Sequence, residues 1–138
     1  MSKEYKKPVP VPEHPAVSRE FWEGSKRHEL MMPRCRPCGD LFWYPREHCP
    51  TCFSQDLDWV RVSGNGRVYA YTIVHQTAHP EFQKEAPYAF AAIDLDEGTR
   101  ILSNVVECDI EDVAVDMPVT VVFDDVTDKW TLVKFKPI

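Results

Sequence analysis

A mainly β chain, built from a short N-terminal helix, a cysteine-bearing ribbon and a small closed barrel, is what the sequence predicts. Three observations predict it. Four of the five cysteines stand as two Cys-x-x-Cys pairs, CRPC and CPTC, ten residues apart. Beyond them, apolar and aromatic residues alternate or run in short stretches bounded by Gly, Asp and Pro, the punctuation of successive strands. A helical pattern occurs near the N-terminus and fades within two or three turns.

Taken in order, residues 1–17 carry Pro8, Pro10, Pro12 and Pro15 and read as an extended arm, either mobile or laid along a neighbouring surface. Residues 18–62 hold the helix and ribbon. Ser18 is the predicted helix N-cap, with Glu20 in the first turn and Phe21 and Trp22 opening the amphipathic pattern. ELMMPRC reads as a strand into the first pair, and LFWYP as a strand between the pairs.

Two Cys-x-x-Cys turns facing each other supply a tetrahedral thiolate shell, so Cys35, Cys38, Cys49 and Cys52 are the candidate ligands of one structural zinc. Iron in a rubredoxin-like centre and a redox dithiol are the competing readings. A catalytic zinc would keep an open position for water, whereas here four thiolates fill the shell. Gly39 follows the first pair, where a knuckle needs positive φ; Phe53 stands at the equivalent place after the second, which predicts different backbone angles there or help from Ser54. Arg34, Arg36, Arg46 and His48 are placed to soften the thiolate charge.

Residues 63–138 hold the barrel. SGNG turns the chain into RVYAYTIVH, a long two-faced strand. The polar, proline-bounded QTAHPEFQKEAP is a loop. YAFAAIDL, TRILSNVVE, VTVVF and TLVKFKP complete five strands, with CDIEDVAVDMP as a non-strand connector between the third and fourth. That arrangement predicts an OB-fold.

Composition narrows function. Apolar runs are short and broken by charge, which excludes a membrane-spanning helix, and a charged but non-apolar N-terminus predicts a cytoplasmic protein. Net charge is −6, with ten Lys/Arg against nine Asp/Glu in residues 1–62 and six against thirteen in residues 63–138. An acidic barrel repels a phosphate backbone, so single-strand binding through Tyr69, Tyr71 and Tyr88 is the alternative rather than the first reading. No Ser-His-Asp order, Gly-rich phosphate loop or carboxylate pair in a catalytic context occurs. His75 and His79 read as surface histidines, and Cys108, between Glu107 and Asp109, as a half-buried thiol whose neighbours disfavour the thiolate.

The FWEG helix, CRPCG with CPTC, the passage from Trp59 through SGNGRVYAYT, the PYAFAAIDLDEGTR hairpin and the closing DMPVTVVF together resemble the thiolase-associated zinc-ribbon and OB-fold family from about Phe21 onward. The resemblance implies a non-catalytic subunit beside a thiolase-like enzyme, in a hetero-oligomer with acyl-CoA at or near the joint surface; its stoichiometry is not set by the sequence, and a dimeric thiolase carrying two copies of this subunit would follow common symmetry. It implies no nucleic acid and no membrane. Members that look similar serve thiolytic or retro-aldol cleavage in steroid side-chain degradation and in anaerobic toluene degradation. Interfaces favour Met, Trp, Tyr and Arg, so Met31, Met32, Arg34, Arg36, Trp43, Tyr44 and Arg46 are the candidate partner or CoA contacts.

Overall fold

The computed structural model describes residues 5–12 and 14–138; the reading of residues 1–4 and 13 as part of the arm lies outside them. Helix α1 spans Pro15–Lys26, three residues earlier than the expected cap at Ser18. The reason is Pro15, whose fixed φ and missing N–H suit the first helical position. Ser18 is therefore inside the helix, its Oγ buried without a hydrogen-bond partner. The helix stops at His28, which takes φ 61°, while the Glu29 amide donates to the Gly24 carbonyl at 2.8 Å.

Strands β1 (Met31–Cys35) and β2 (Leu57–Arg61) pair antiparallel from Met31↔Arg61 to Cys35↔Leu57 and form the ribbon's sheet. The strand expected at LFWYP shrinks to one bridge, Arg34↔Leu41. Two backbone bonds, Cys35 to Asp40 and Phe42 to Pro33, exhaust that contact. Beyond it, burial wins over pairing: Phe42 is buried, and Trp43 packs on Phe21 with ring centroids 4.6 Å apart.

The barrel closes in the order β3-β4-β5-β7-β6, an OB-fold, with β3 (Asn65–Val74) pairing both β4 (Tyr88–Leu95) and β6 (Pro118–Asp125). A bulge between Val68 and Ala70 lets this one long strand serve both neighbours. Strand β5 (Arg100–Val105) follows β4 by a tight turn, and β7 (Thr131–Pro137) returns along β6. Between β5 and β7 the only strand pairing is Val105↔Phe135, so the barrel is seamed there. Val68, Ile93, Val119 and Phe135 fill the interior. The connector before β6 carries a single 3-10 turn, Ile110–Asp112, and the QTAHPEFQKEAP loop contains one helical turn, α2 (Pro80–Gln83), which its sequence did not announce.

Gly66 lies where β3 crosses β4 so closely that an added Cβ would sit 2.4 Å from the Asp94 carbonyl oxygen. Gly66→Ala is expected to force the two strands apart and cost about 1–3 kcal/mol. Urea unfolding checks this; an unchanged midpoint would mean the strands are free to spread.

Helix α1 sits between ribbon and barrel. Phe21 meets Trp43 of the ribbon, while Trp22 meets Trp130 of the barrel edge-on at 5.2 Å. His28 stacks on Phe123 and its Nε2 lies 2.9 Å from an Asp125 carboxylate oxygen. The described part of the arm is laid on the barrel: Lys7 Nζ bonds Glu85 at 2.6 Å, under the Tyr5 and Phe82 rings. Among the described residues no helix is long and apolar enough to cross a membrane.

Candidate functional site

The two cysteine pairs form two copies of one turn. In the first, the Gly39 amide donates to the Cys35 carbonyl at 2.7 Å with Gly39 at φ 76°; in the second, the Phe53 amide donates to Cys49 at 2.9 Å with Phe53 at φ 64°. Different backbone angles, expected because glycine is missing, are thus not what the second knuckle adopts. Phenylalanine takes the left-handed conformation itself, and the Cys49 amide closes the turn on the Ser54 carbonyl at 2.9 Å. An L-residue with a Cβ bears about 1–2 kcal/mol for that conformation. Phe53→Gly is therefore expected to raise stability by about 1 kcal/mol, seen as a higher thermal midpoint of the zinc-loaded protein.

The four sulfurs lie within 4.8 Å of one another, Cys35 and Cys49 buried, Cys38 and Cys52 exposed. Cys35 and Cys52 are 3.4 Å apart, Cys38 and Cys49 3.6 Å, close to the roughly 3.8 Å edge of a tetrahedron with 2.3 Å zinc–sulfur bonds. The thiols divide their protons unequally. Burial opposes ionisation of Cys49, but the Cys52 and Thr51 amides outweigh it and bring the thiol down to about 7. At Cys35 the Cys38 amide favours the thiolate, yet burial and the three neighbouring sulfurs push it up to about 12. Four thiolates cannot coexist here without a cation, and one divalent ion is what the donor set fits.

Arg34 and Arg36 do not turn to the thiolates. Arg34 grips Asp58 with two bonds of 3.2 and 2.8 Å across the β1–β2 sheet, and Arg36 reaches Asp56 at 3.3 Å and Asp58 at 3.5 Å. The carboxylate competitors, invisible as partners in the sequence, win because β-pairing sets Arg34 opposite Asp58. The Arg34 hydrogen bond, with Arg36 adding to it, holds the Asp58 carboxyl below its usual 3.8. Its stabilising contribution is thus complete above about pH 4 and is lost as the pH falls through the lowered value. Asp58→Asn should give a small loss of stability at pH 6 that vanishes at the acid end, compared by urea unfolding at both.

Of the other expected contacts, Met32 is fully buried and is corrected to a core residue: β1 turns it inward beside Leu30 and Phe21. Met31, half-buried, leans on the helix at Gly24. Trp43, Tyr44 and Arg46 converge on a half-open groove of about 1220 Å³ between the second knuckle, α1 and the β5–β7 seam. Tyr44 is 52% exposed and Phe53 73%; facing them, Phe90 is 42% and Leu102 45% exposed. Sequence reading missed Phe90 and Leu102, because outward positions of a strand show no chemistry of their own. The Phe53 anomaly was the available signal. Cys108 is half-buried, and burial together with Asp112 and Asp109 raises its thiol; His79 caps α2 by accepting from the Glu81 amide at 3.2 Å.

A tetrathiolate ribbon joined through one helix to an OB barrel defines a zinc-ribbon/OB-fold protein. Sequence models of the ChsH2 rubredoxin-like zinc ribbon domain and the ChsH2 C-terminal OB-fold domain match residues 22–58 and 59–124, and the chain belongs to this DUF35 family. It is 38% identical to a DUF35 domain-containing scaffold protein of Methanocaldococcus jannaschii, over 88% of this chain and 91% of that protein. A probable enoyl-CoA hydratase alpha subunit of Thermomonospora curvata is 37% identical over 95% of this chain, which spans only 41% of that relative. The benzoylsuccinyl-CoA thiolase subunit BbsA of Thauera aromatica is 30% identical over 52% of this chain and 48% of its own length. Among solved structures, the Ltp2-ChsH2(DUF35) aldolase superposes with a TM-score of 0.82 at 34% identity, covering 92% of this chain and 98% of that one. In this zinc ribbon the four cysteines are positioned to hold one zinc ion.

Proposed function

We propose that this chain is a non-catalytic accessory subunit of a thiolase-like acyl-CoA enzyme complex in the cytoplasm, which completes or stabilises the acyl-CoA site while its partner carries the thiolytic or retro-aldol chemistry. The observation that carries this is the likeness over nearly the whole chain to the DUF35 chain of an aldolase complex. A relative named as a thiolase subunit and another named as a scaffold protein support it. So does the closed metal shell, which leaves zinc no open position for substrate. Trp43, Tyr44 and Arg46, with Met31, Arg34 and Arg36 on the neighbouring sheet, are the proposed contacts to partner or CoA, and two subunits of each kind form the assembly.

Single-strand binding has less support. On β4 and β5 the outward residues Phe90, Ala92 and Leu102 carry no charge, and Arg100, the cation there, is tied to Asp94 at 2.6 Å and stacked on Tyr69.

Co-expression with the adjacent thiolase-like subunit, size-exclusion chromatography, zinc analysis and a thiolytic acyl-CoA assay test the reading. A stable complex with one zinc per chain, active only when both subunits are present, is the expected result. A partner fully active alone, with this chain eluting separately, would overturn it.

A further inference from the structure

A closed tetrathiolate shell shields its metal, but here it does not shield all of its sulfurs. Cys35 and Cys49 are buried, whereas Cys38 and Cys52, one from each knuckle, are exposed. A zinc-bound sulfur is already a thiolate, the form of cysteine that attacks electrophiles, so an exposed ligand keeps a nucleophile at the surface. The arginines beside the first knuckle do not screen it: Arg34 is gripped by Asp58, and Arg36 by Asp56 and Asp58.

Each exposed sulfur has a buried one within reach, and that neighbour belongs to the other knuckle. Cys52 Sγ lies 3.4 Å from Cys35 Sγ, and Cys38 Sγ lies 3.6 Å from Cys49 Sγ. More than the metal holds the knuckles face to face. The Thr51 hydroxyl of the second donates to the Asp40 carboxylate beside the first, and the Arg36 amide of the first donates to the Asp56 carbonyl just past the second at 3.0 Å. The sulfurs therefore stay opposite one another while electrons are drawn from them. The fifth cysteine, Cys108, is half-buried on the connector before β6 and is no part of the cluster.

We infer that the metal site is also a peroxide-sensitive modification site: Cys52 and Cys38 are the sulfurs attacked, Cys35 and Cys49 resolve them, and the ribbon exchanges its zinc for two disulfides that join the knuckles. The exposed thiolate attacks the O–O bond of hydrogen peroxide and becomes a sulfenic acid as hydroxide leaves. The buried thiolate opposite then attacks that sulfur, forms the S–S bond and expels a second hydroxide. Each disulfide thus takes two electrons from two thiolates and reduces one peroxide to two hydroxides, which solvent protonates to water. The thiolate is the metal ligand, so the ion leaves as the pairs form, and a thiol reductant with zinc reverses the exchange. Unlike a chelated chain, the oxidised one keeps its knuckles covalently joined. Cys49, Pro50 and Phe53 line the groove between ribbon and barrel, so the exchange takes place in its wall. The inference rests on the metal site alone and not on the accessory-subunit role.

Hydrogen peroxide added to the zinc-loaded full chain tests this, with released zinc read by a colorimetric chelator, sulfenic acid trapped by dimedone and disulfides mapped by mass spectrometry. Zinc should appear in step with the loss of four of the five free thiols. Dimedone should label Cys38 and Cys52 at least tenfold more than Cys35 and Cys49, and the map should show Cys35–Cys52 and Cys38–Cys49. Cys108→Ser should release zinc at a rate within twofold of the parent, and dithiothreitol followed by zinc should return the full metal content. Zinc retained while Cys108 alone is oxidised, or release that Cys108→Ser abolishes, would overturn the proposal. So would dimedone spread evenly over the four ligands, bridges confined to Cys35–Cys38 and Cys49–Cys52, or oxidation that dithiothreitol and zinc fail to reverse. Each of these outcomes leaves the accessory-subunit reading untouched.

Discussion

Removing the zinc, by a chelator or by Cys49→Ser, is expected to unfold the ribbon while leaving the barrel standing. The ribbon's regular structure is two five-residue strands, a pairing that is marginal in water on its own. A structural zinc site contributes about 10–16 kcal/mol of apparent binding energy at neutral pH, as much as the whole stability of an ordinary domain. Without it, four sulfurs within 4.8 Å of one another lose the ion that justifies their crowding. The barrel keeps its own closed sheet and its own core around Ile93 and Phe135. Trp43 and Trp59 should become solvated, seen as a red shift and a loss of tryptophan fluorescence, while most of the strand signal in circular dichroism survives. Fluorescence that stays unchanged after zinc has left would show that packing alone holds the ribbon.

Phe135→Ala should be the most damaging substitution in the barrel. The side chain is fully buried, its backbone pairs with Val121 of β6, and it supplies the pairing between β7 and β5. Its carbonyl also receives the Val106 amide at 2.7 Å. Truncation leaves a cavity at the strand pairing that joins β5 to β7, at a cost of about 3–5 kcal/mol. Urea unfolding with an unchanged slope should report it; a loss below about 1 kcal/mol would mean that the barrel collapses into the space.

What the sequence disclosed follows from how local each signal was. The cysteine spacing is a covalent statement about one turn repeated twice, and the barrel strands carry their own alternation and their own turns, so both could be read without knowing the fold. Helix α1 began at Pro15 rather than after Ser18 because two start signals compete within four residues, and the proline, suited to the first helical position, prevailed over the serine cap. LFWYP has the composition of a strand, but Trp43 finds a better partner in Phe21 than in a neighbouring strand. Met32 looked like an interface residue for the same reason: composition marks methionine as adhesive, and only the strand register shows to which side it adheres. The groove was illegible because its walls come from the arm, α1, the second knuckle and strands β4, β5 and β7, far apart in the chain.

Phe21 and Trp22 are consecutive on α1, yet one is seated in the ribbon and the other against the barrel. Consecutive helical residues point about 100° apart, so this single step fixes the angle at which the two halves of the molecule are mounted. The helix therefore works as an indexing pin whose setting is counted in whole residues. An insertion or deletion of one residue between Phe21 and His28 would turn one seat away from its surface while the other stayed engaged. Substitutions along α1 can accumulate, but its length cannot drift, and across relatives the spacing from Phe21 to His28 should vary less than the residues that fill it.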